Sequence, residues 1–212
     1  MYKKLLVDSG LRMLRSGLTV ETWGNISARD AAAGLVYLTP SAMPYDEIRE
    51  DDIVVAKLDG ALVESRRKPT IEMDLHLKLY RARQDINAVV HTHPVYSQVF
   101  AVLREPIPPI IDEAAQIMGG PVPCAVYALP GSPELAENCV KALGNGRACL
   151  MANHGALCVG ADMDGAFKVS SVLEMTAHIY LLARSIGKPV PLENGLVAAM
   201  HEYAYNRYGQ GK

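Results

Sequence analysis

Two periods of hydrophobic positions alternate along this chain. Apolar residues recur at helical spacing over about 2–16, and Gly17 follows as a left-handed cap. Further helices are predicted, in chain order, at 71–83, 94–103, 133–143, 163–186 and 192–206. Short runs typical of strands lie between them, at 24–28, 35–39, 53–57, 61–64, 87–91, 122–127, 148–152 and 156–159. The chain therefore combines both kinds of regular structure.

The order of these elements indicates a mixed α/β fold. Asp59 and Gly60 separate two of the strand runs and predict a hairpin, because both residues tolerate positive φ. Pro69 and Thr70 are the expected entry and cap of helix 71–83. Hairpins mixed with helices predict a central, mostly antiparallel mixed sheet covered by helices, and the pattern has no regular βαβ repeat. This order argues against a TIM barrel and against a Rossmann fold.

Length and composition narrow the possible organisation and partners. The chain has 212 residues, of which 50% are hydrophobic, and no linker or repeat divides it, so residues 1–212 are expected to form a single domain. The formal net charge of -2 gives no broad basic face of the kind that nucleic acid or an anionic membrane requires. We therefore expect a small-molecule partner, with no nucleic acid and no membrane.

The cysteines and the N-terminal segment indicate the cellular compartment of the protein. The four cysteines form neither a CxxC pair nor a compact disulfide framework, and we expect them to be reduced. Met1 to Leu18 is charged and amphipathic, unlike the unbroken apolar stretch of a signal peptide. Both features predict a cytoplasmic protein.

Three histidines carry the strongest chemical signal. His91 and His93 end an apolar strand run, and because side chains alternate faces along a strand, their imidazoles point the same way. His154 interrupts a second apolar run and would complete a three-histidine face. For zinc, such a face leaves one position open for water or substrate, which suits catalysis. Glu72, at the predicted start of a helix, could then move protons.

Five short motifs occur along the chain in a fixed order. They are Gly24-Asn25-Ile26-Ser27, Leu38-Thr39-Pro40-Ser41, Pro69-Thr70-Ile71-Glu72, Val89-Val90-His91-Thr92-His93-Pro94 and Asn153-His154-Gly155. In that order they resemble the class II aldolase and adducin-head family over nearly the whole chain. The resemblance implies a three-layer α/β/α fold and a homotetramer with fourfold symmetry whose active sites lie at subunit interfaces.

The resemblance also implies roles for particular residues. It makes His91, His93 and His154 ligands of one divalent metal ion per subunit, most often Zn²⁺, with Mn²⁺, Co²⁺ or Fe²⁺ as alternatives. It makes Glu72 the catalytic acid and base. The implied phosphate-binding residues are Thr22, Asn25, Ser41, Ala42 and Thr70.

The chain also departs from the family pattern. Ile71 replaces a second hydroxyl residue before Glu72, so one phosphate donor is missing. Asp112 stands where related aldolases carry a tyrosine that donates a proton across the interface, and Tyr208 matches a second tyrosine near the C-terminus. These matches make Asp112 and Tyr208 further catalytic candidates. The change of the proton donor from tyrosine to Asp112 indicates a different aldehyde from that of the related enzymes.

The implied activity is retro-aldol cleavage of a ketose 1-phosphate, of the L-fuculose 1-phosphate or 5-deoxypentulose 1-phosphate type, to dihydroxyacetone phosphate and an aldehyde. Three alternatives stay open: L-ribulose-5-phosphate 4-epimerase, methylthioribulose-1-phosphate dehydratase and a non-enzymatic, adducin-like interaction module. Glu72 favours the aldolase over the epimerase, in which an aspartate usually stands at that position, whereas Asp112 favours the epimerase mildly.

Overall fold

The computed structural model describes residues 1–207, which form seven α-helices and eight β-strands. The helices are α1 Tyr2–Arg15, α2 Met73–Ala82, α3 Val95–Leu103, α4 Asp112–Met118, α5 Pro133–Leu143, α6 Met163–Ile186 and α7 Asn194–Asn206. The strands are β1 Asn25–Asp30, β2 Leu35–Leu38, β3 Val54–Lys57, β4 Leu62–Glu64, β5 Ala88–Thr92, β6 Cys124–Ala125, β7 Ala148–Met151 and β8 Gly155–Gly160. Across residues 1–207, each helix is too short or too polar to cross a membrane.

All eight strands join one sheet in the order β4-β3-β2-β1-β5-β8-β7-β6. Neighbouring strands pair antiparallel except for β6 and β7, which pair parallel. Strands β1 and β5 therefore lie side by side near the middle of the sheet, although about sixty residues separate them in the sequence. The predicted mixed, mostly antiparallel α/β sheet is confirmed.

Helices cover both faces of this sheet, which confirms the three-layer α/β/α arrangement. Val89 of β5 packs in a core that contains residues of α2 and α5, whereas the next residue, Val90, packs in a core with α1 and α6. A third core joins α3 and α4 to α6 and the strands beyond β5. Since successive strand residues face opposite sides, the face of β5 that carries Val89 also carries His91.

Most predicted elements lie within a few residues of the observed ones, and the hairpin at Asp59 and Gly60 is confirmed by the pairing of β3 with β4. Three predictions were wrong. Helix α4, Asp112–Met118, was missed, because its seven residues are too few to show a helical period. The strand expected at 122–127 is only Cys124–Ala125.

The third wrong prediction concerns the start of α2. The helix was expected to begin at Ile71 with Thr70 as its cap, but it begins at Met73 with Glu72 at the N-cap position. An isolated bridge between Pro40 and Pro69 keeps the chain extended before the helix. The Thr70 hydroxyl instead accepts a hydrogen bond from the backbone N–H of Glu72 at 3.3 Å. Glu72 therefore sits on the turn that leads into the helix.

Candidate active site

The ends of β1 and β5 and the turn before α2 surround a cavity of about 390 Å³. Its lining contains every predicted metal ligand, every predicted phosphate-binding residue and the predicted acid and base. These residues are Thr22, Asn25, Ser41, Ala42, Thr70, Glu72, His91, His93 and His154. The fold therefore brings together side chains from five separate stretches of sequence.

The three histidines converge on one point of the cavity. Ring centroids lie 4.8 Å apart for His91 and His93, 4.8 Å for His91 and His154, and 5.1 Å for His93 and His154. One ring nitrogen from each histidine lies within 4.8 Å of the other two. His91 Nδ1–H donates to the carbonyl oxygen of Ala156 at 3.0 Å, which leaves Nε2 with a free lone pair facing His93. Such a backbone contact is the usual way in which a ligating imidazole is oriented.

Burial keeps these imidazoles neutral. It lowers the pKa of His91 and of His154 to about 4, and that of His93 to about 3. For His93 the neighbouring His91 and His154 lower the pKa further, after burial itself. At neutral pH all three rings therefore carry a free lone pair, which is the form that binds a metal ion.

The polar atoms around this point fit a divalent cation. Glu72 Oε1, which lies beside the cluster, is buried and has no hydrogen-bond partner among residues 1–207. Buried polar atoms without partners are rare in folded proteins, and where they occur a bound ion often satisfies them. The Nε2 atoms of His91 and His93 are 3.0 Å apart, close to the roughly 3.3 Å between two nitrogens that bind the same tetrahedral zinc at about 2.0–2.1 Å. The donor set therefore suits a metal of the zinc type.

Glu72 lies beside the histidine cluster and is almost completely buried. Its Oε2 accepts a hydrogen bond from Asn25 Nδ2 at 2.8 Å and lies 3.3 Å from His91 Nε2. Its Oε1 lies 3.5 Å from His154 Nε2. Both carboxylate oxygens thus lie beside nitrogens of the histidine cluster, and Oε2 is in addition held by the Asn25 amide.

The predicted phosphate-binding residues provide small hydroxyl and backbone donors. The backbone of Ala42 has φ of 55°, in the left-handed region, where successive amides turn towards a common concavity that can bind an anion. Asn25 was expected to contact phosphate, but its amide already bonds to Glu72 and to His76, which leaves one N–H of Nδ2 for a ligand. The phosphate roles stay predictions.

The other two catalytic candidates lie apart from this cavity or outside the described chain. Asp112 is the first residue of α4 and is not among the lining residues found in the described 1–207. Tyr208 lies outside the described residues. Both assignments stay predictions.

Sequence patterns alone did not reveal several residues at the site. Trp23 and Pro130 also line the cavity, and the Trp23 ring stacks on His93 with centroids 6.3 Å apart and planes 16° apart. Trp23 is the one tryptophan of the chain and is 57% exposed. Its position next to the Gly24-Asn25 motif was the one signal in the sequence. His76, which carries no sequence motif of its own, also belongs to the surroundings of the site, because it contacts Asn25 directly.

Comparison with known proteins gives one consistent result. Residues 4–181 match the family model of the class II aldolase and adducin N-terminal domain. The 5-deoxy-D-ribulose 1-phosphate aldolase of Bacillus thuringiensis serovar kurstaki is 40% identical over 184 residues, which are 87% of this chain and 86% of that protein. The L-fuculose phosphate aldolase of Escherichia coli O6:H1 is 34% identical over 204 residues, covering 96% of this chain and 94% of that protein.

A solved structure of an L-fuculose 1-phosphate aldolase superposes on this chain with a TM-score of 0.93 and 39% sequence identity. The superposition covers 95% of this chain and 94% of the other. The similarity thus extends over nearly all of the sheet and helices that surround the cavity.

Proposed function

The chain belongs to the class II aldolase and adducin N-terminal domain family, and from that premise we propose that it is a metal-dependent aldolase acting on a ketose 1-phosphate. Its products would be dihydroxyacetone phosphate and an aldehyde. The observation that carries the proposal is the convergence of three neutral histidines and a buried carboxylate on one cavity. In this arrangement buried polar atoms of Glu72 and His154 have no partners among residues 1–207, which costs stability. A protein that acted only as an interaction module would gain nothing from that cost.

His91, His93 and His154 would hold the metal ion, with zinc the first choice and manganese, cobalt and iron the alternatives. A divalent ion bound there supplies Lewis acidity, which stabilises the negative charge that develops on a substrate carbonyl oxygen. The neutral state of the three rings at pH 7 supports this role, because no proton has to leave before binding.

Glu72 would move the proton at carbon. In cleavage, the Glu72 carboxylate takes the proton of the C4 hydroxyl, the C3–C4 bond breaks to give the aldehyde, and the electron pair of that bond passes to the dihydroxyacetone phosphate fragment. Glu72 then gives a proton to C3, and in the condensation direction it removes the same proton. The carboxylate is suited to this task because Glu72 lines the cavity and its buried Oε1 has no hydrogen-bond partner among residues 1–207.

The small donors at one side of the cavity would hold the substrate phosphate. Hydroxyl groups of Thr22, Ser41 and Thr70 and the amide of Ala42 line the cavity next to Glu72. A phosphate fixed by such donors would place the reacting carbons beside the carboxylate, so that the proton transfer takes place within one complex.

The apolar lining of the cavity suits a substrate whose aldehyde end is apolar. Trp23 and Pro130 contribute apolar lining to the cavity, and Trp23 is 57% exposed. Both candidate substrates end in a methyl group, but the aldehyde fragment of L-fuculose 1-phosphate carries one additional hydroxyl group, to which an apolar wall offers no hydrogen bond. We therefore favour a 5-deoxypentulose 1-phosphate, which agrees with the name of the Bacillus thuringiensis relative, over L-fuculose 1-phosphate.

The proposal extends to the assembly. Residues 1–212 would form a single domain within a homotetramer whose active sites lie at subunit interfaces. Exposed apolar residues of α3, namely Val95, Val102 and Leu103, lie on a groove that also includes His154, so a neighbouring subunit docked there would reach the active site. The four free thiols agree with a reducing, cytoplasmic location.

The proposal is tested by measuring dihydroxyacetone phosphate release with a coupled NADH assay. The substrates are 5-deoxyribulose 1-phosphate, L-fuculose 1-phosphate and L-rhamnulose 1-phosphate, each with and without chelator. We expect chelator-sensitive release that returns on adding back zinc, with 5-deoxyribulose 1-phosphate the best substrate. No release from metal-loaded protein would refute the aldolase, and L-ribulose 5-phosphate and methylthioribulose 1-phosphate would then test the epimerase and dehydratase.

A further inference from the structure

Polar residues of β1 and α2 face each other along a line that leads away from Glu72 into the protein core. On α2 and the turn before it these residues are Glu72, His76 and Tyr80, spaced four apart, and on β1 they are Asn25 and Ser27, spaced two apart. Four residues of helix rise about 6 Å and two residues of strand about 6.6 Å. The two spacings match closely, so the polar positions of helix and strand stay in step.

Four short hydrogen bonds join these five side chains. Tyr80 Oη lies 2.8 Å from Ser27 Oγ, and Ser27 Oγ lies 2.6 Å from His76 Nδ1. His76 Nε2 lies 2.6 Å from Asn25 Oδ1, and Asn25 Nδ2 lies 2.8 Å from Glu72 Oε2. All five side chains are buried. We call them the Glu72 relay.

The ionised carboxylate fixes the direction of every bond in the relay. Oε2 of Glu72 can only accept, so Asn25 must turn its Nδ2 towards Glu72 and its Oδ1 towards His76. His76 must then carry its proton on Nε2, which leaves Nδ1 to accept from the Ser27 hydroxyl. The oxygen of Ser27 in turn accepts from Tyr80.

We propose that His76 is a positioning residue, which acts through Asn25 to hold Oε2 of Glu72 and to keep Oε1 as the oxygen that exchanges the proton with substrate. This role rests on the proposed function of Glu72 as the acid and base. Without the Nε2–H of His76, the Asn25 amide can rotate, and its oxygen would then repel the carboxylate. The carboxylate would no longer be held in one orientation towards the cavity.

The surroundings of His76 support this assignment. Its side chain is fully buried, and burial lowers its pKa to about 3, so the ring stays neutral and keeps one direction of hydrogen bonding at working pH. Buried polar networks cost free energy of desolvation unless every member has a partner. An apolar residue would fill the same space without this cost, so the polar chain is better explained by what it holds at its end.

The kinetic test compares two substitutions of His76 in the metal-loaded protein. His76→Leu removes the donor to Asn25 and is expected to lower kcat at least about tenfold, because a displaced acid and base loses its geometry, while KM and metal content stay near wild type. His76→Gln places an amide N–H near the lost Nε2–H and is expected to restore most of kcat. Thr176→Val is the matched control, because it removes a fully buried hydroxyl from α6, away from the relay.

A merely structural role would give a different result. Both His76 variants would then behave like the Thr176→Val control, with lower stability but unchanged kcat per metal-loaded chain. This outcome would overturn the proposal. Equal loss of kcat in both His76 variants would also overturn it, because the amide donor would then have no effect.

A second measurement needs no variant to fold and no substrate to turn over. In ¹⁵N-histidine NMR of zinc-loaded wild-type protein, we expect His76 to carry its proton on Nε2 and to have a bare Nδ1. A proton on Nδ1 would overturn the relay direction. The two tests can fail separately. If wild-type protein released no dihydroxyacetone phosphate, the coupled assay would refute the proposed function, but the protonation of His76 observed by NMR would still test the relay.

Discussion

Asn25 lies directly opposite His91 in the antiparallel pairing of β1 with β5. Their side chains project from the same face of the sheet and approach the same atom, Glu72 Oε2, at 2.8 Å from Asn25 Nδ2 and 3.3 Å from His91 Nε2. A slip of one residue in this pairing would turn one of the two side chains to the other face. One strand register therefore sets both the proposed metal ligand and the contact that orients the carboxylate.

His93→Ala is expected to lose the bound metal. Removing one of three imidazoles leaves too few protein ligands for tight binding of a zinc-type ion. Metal content after dialysis, measured by mass spectrometry, checks this. His178→Ala is the control, since His178 stacks on Tyr96 away from the cluster and should keep its metal. Equal metal content in wild type and His93→Ala would refute the three-histidine site.

The stability of metal-free protein should depend on pH through His76. Burial lowers the pKa of His76 from 6.5 to about 3, so unfolding below pH 6.5 takes up a proton that the folded protein excludes. Its contribution is therefore fully present above pH 6.5 and is lost as the pH falls towards 3. The expected slope is about 1.4 kcal/mol per pH unit.

Urea unfolding between pH 6 and pH 4.5 checks this slope. His76→Gln lacks the titrating group, so the free energy of unfolding of wild type should fall more steeply than that of the variant, by about 1.4 kcal/mol per pH unit. Parallel pH profiles for the two proteins would show that His76 is not held neutral by the fold.

Ala42→Gly is expected to stabilise the protein. Ala42 has φ of 55°, which costs an L-residue about 1–2 kcal/mol, whereas glycine adopts it freely. After the larger entropy of an unfolded glycine is subtracted, about 0.5–1 kcal/mol should remain. Ala33→Gly, in an exposed turn outside the left-handed region, should be neutral or destabilising in the same urea titration. A loss of stability in Ala42→Gly would contradict the strain.

Trp23→Ala is expected to lower kcat/KM for 5-deoxyribulose 1-phosphate by about tenfold, since one apolar wall contact is worth roughly 1–3 kcal/mol. Trp23→Phe keeps an apolar ring and should retain most activity. The same substitutions should matter less for L-fuculose 1-phosphate, whose aldehyde fragment carries one additional hydroxyl group. Equal losses for both substrates would remove Trp23 as a determinant of the aldehyde.

The sequence predicted the parts of this site that depend on local spacing. The two-residue separation of His91 and His93 placed both imidazoles on one side, and the Asn153-His154-Gly155 motif supplied the third. Strand alternation and metal chemistry were sufficient for that step. The long helices were also found, because α6 spans 24 residues and shows many repeats of its period.

Features of the site that depend on contacts between distant parts of the chain could not be predicted from the sequence. His76 lies four residues from Glu72 in the sequence, but its side chain bonds to Asn25, which becomes a neighbour only when β1 packs under α2. Helix α4 is likewise defined by its packing on α6 and α7 rather than by its seven residues. The stacking of Trp23 on His93 needs the same tertiary information.

Hydrogen exchange at the carbon of dihydroxyacetone phosphate tests the central claim most directly, because it needs no knowledge of the aldehyde. Metal-loaded protein and dihydroxyacetone phosphate are incubated in D₂O, and deuterium at the hydroxymethyl carbon is followed by NMR. We expect stereospecific exchange in wild type that stops with chelator and is at least about a hundredfold slower in metal-loaded Glu72→Gln. Exchange that persists at the wild-type rate in Glu72→Gln would contradict the assignment of Glu72 as the acid and base.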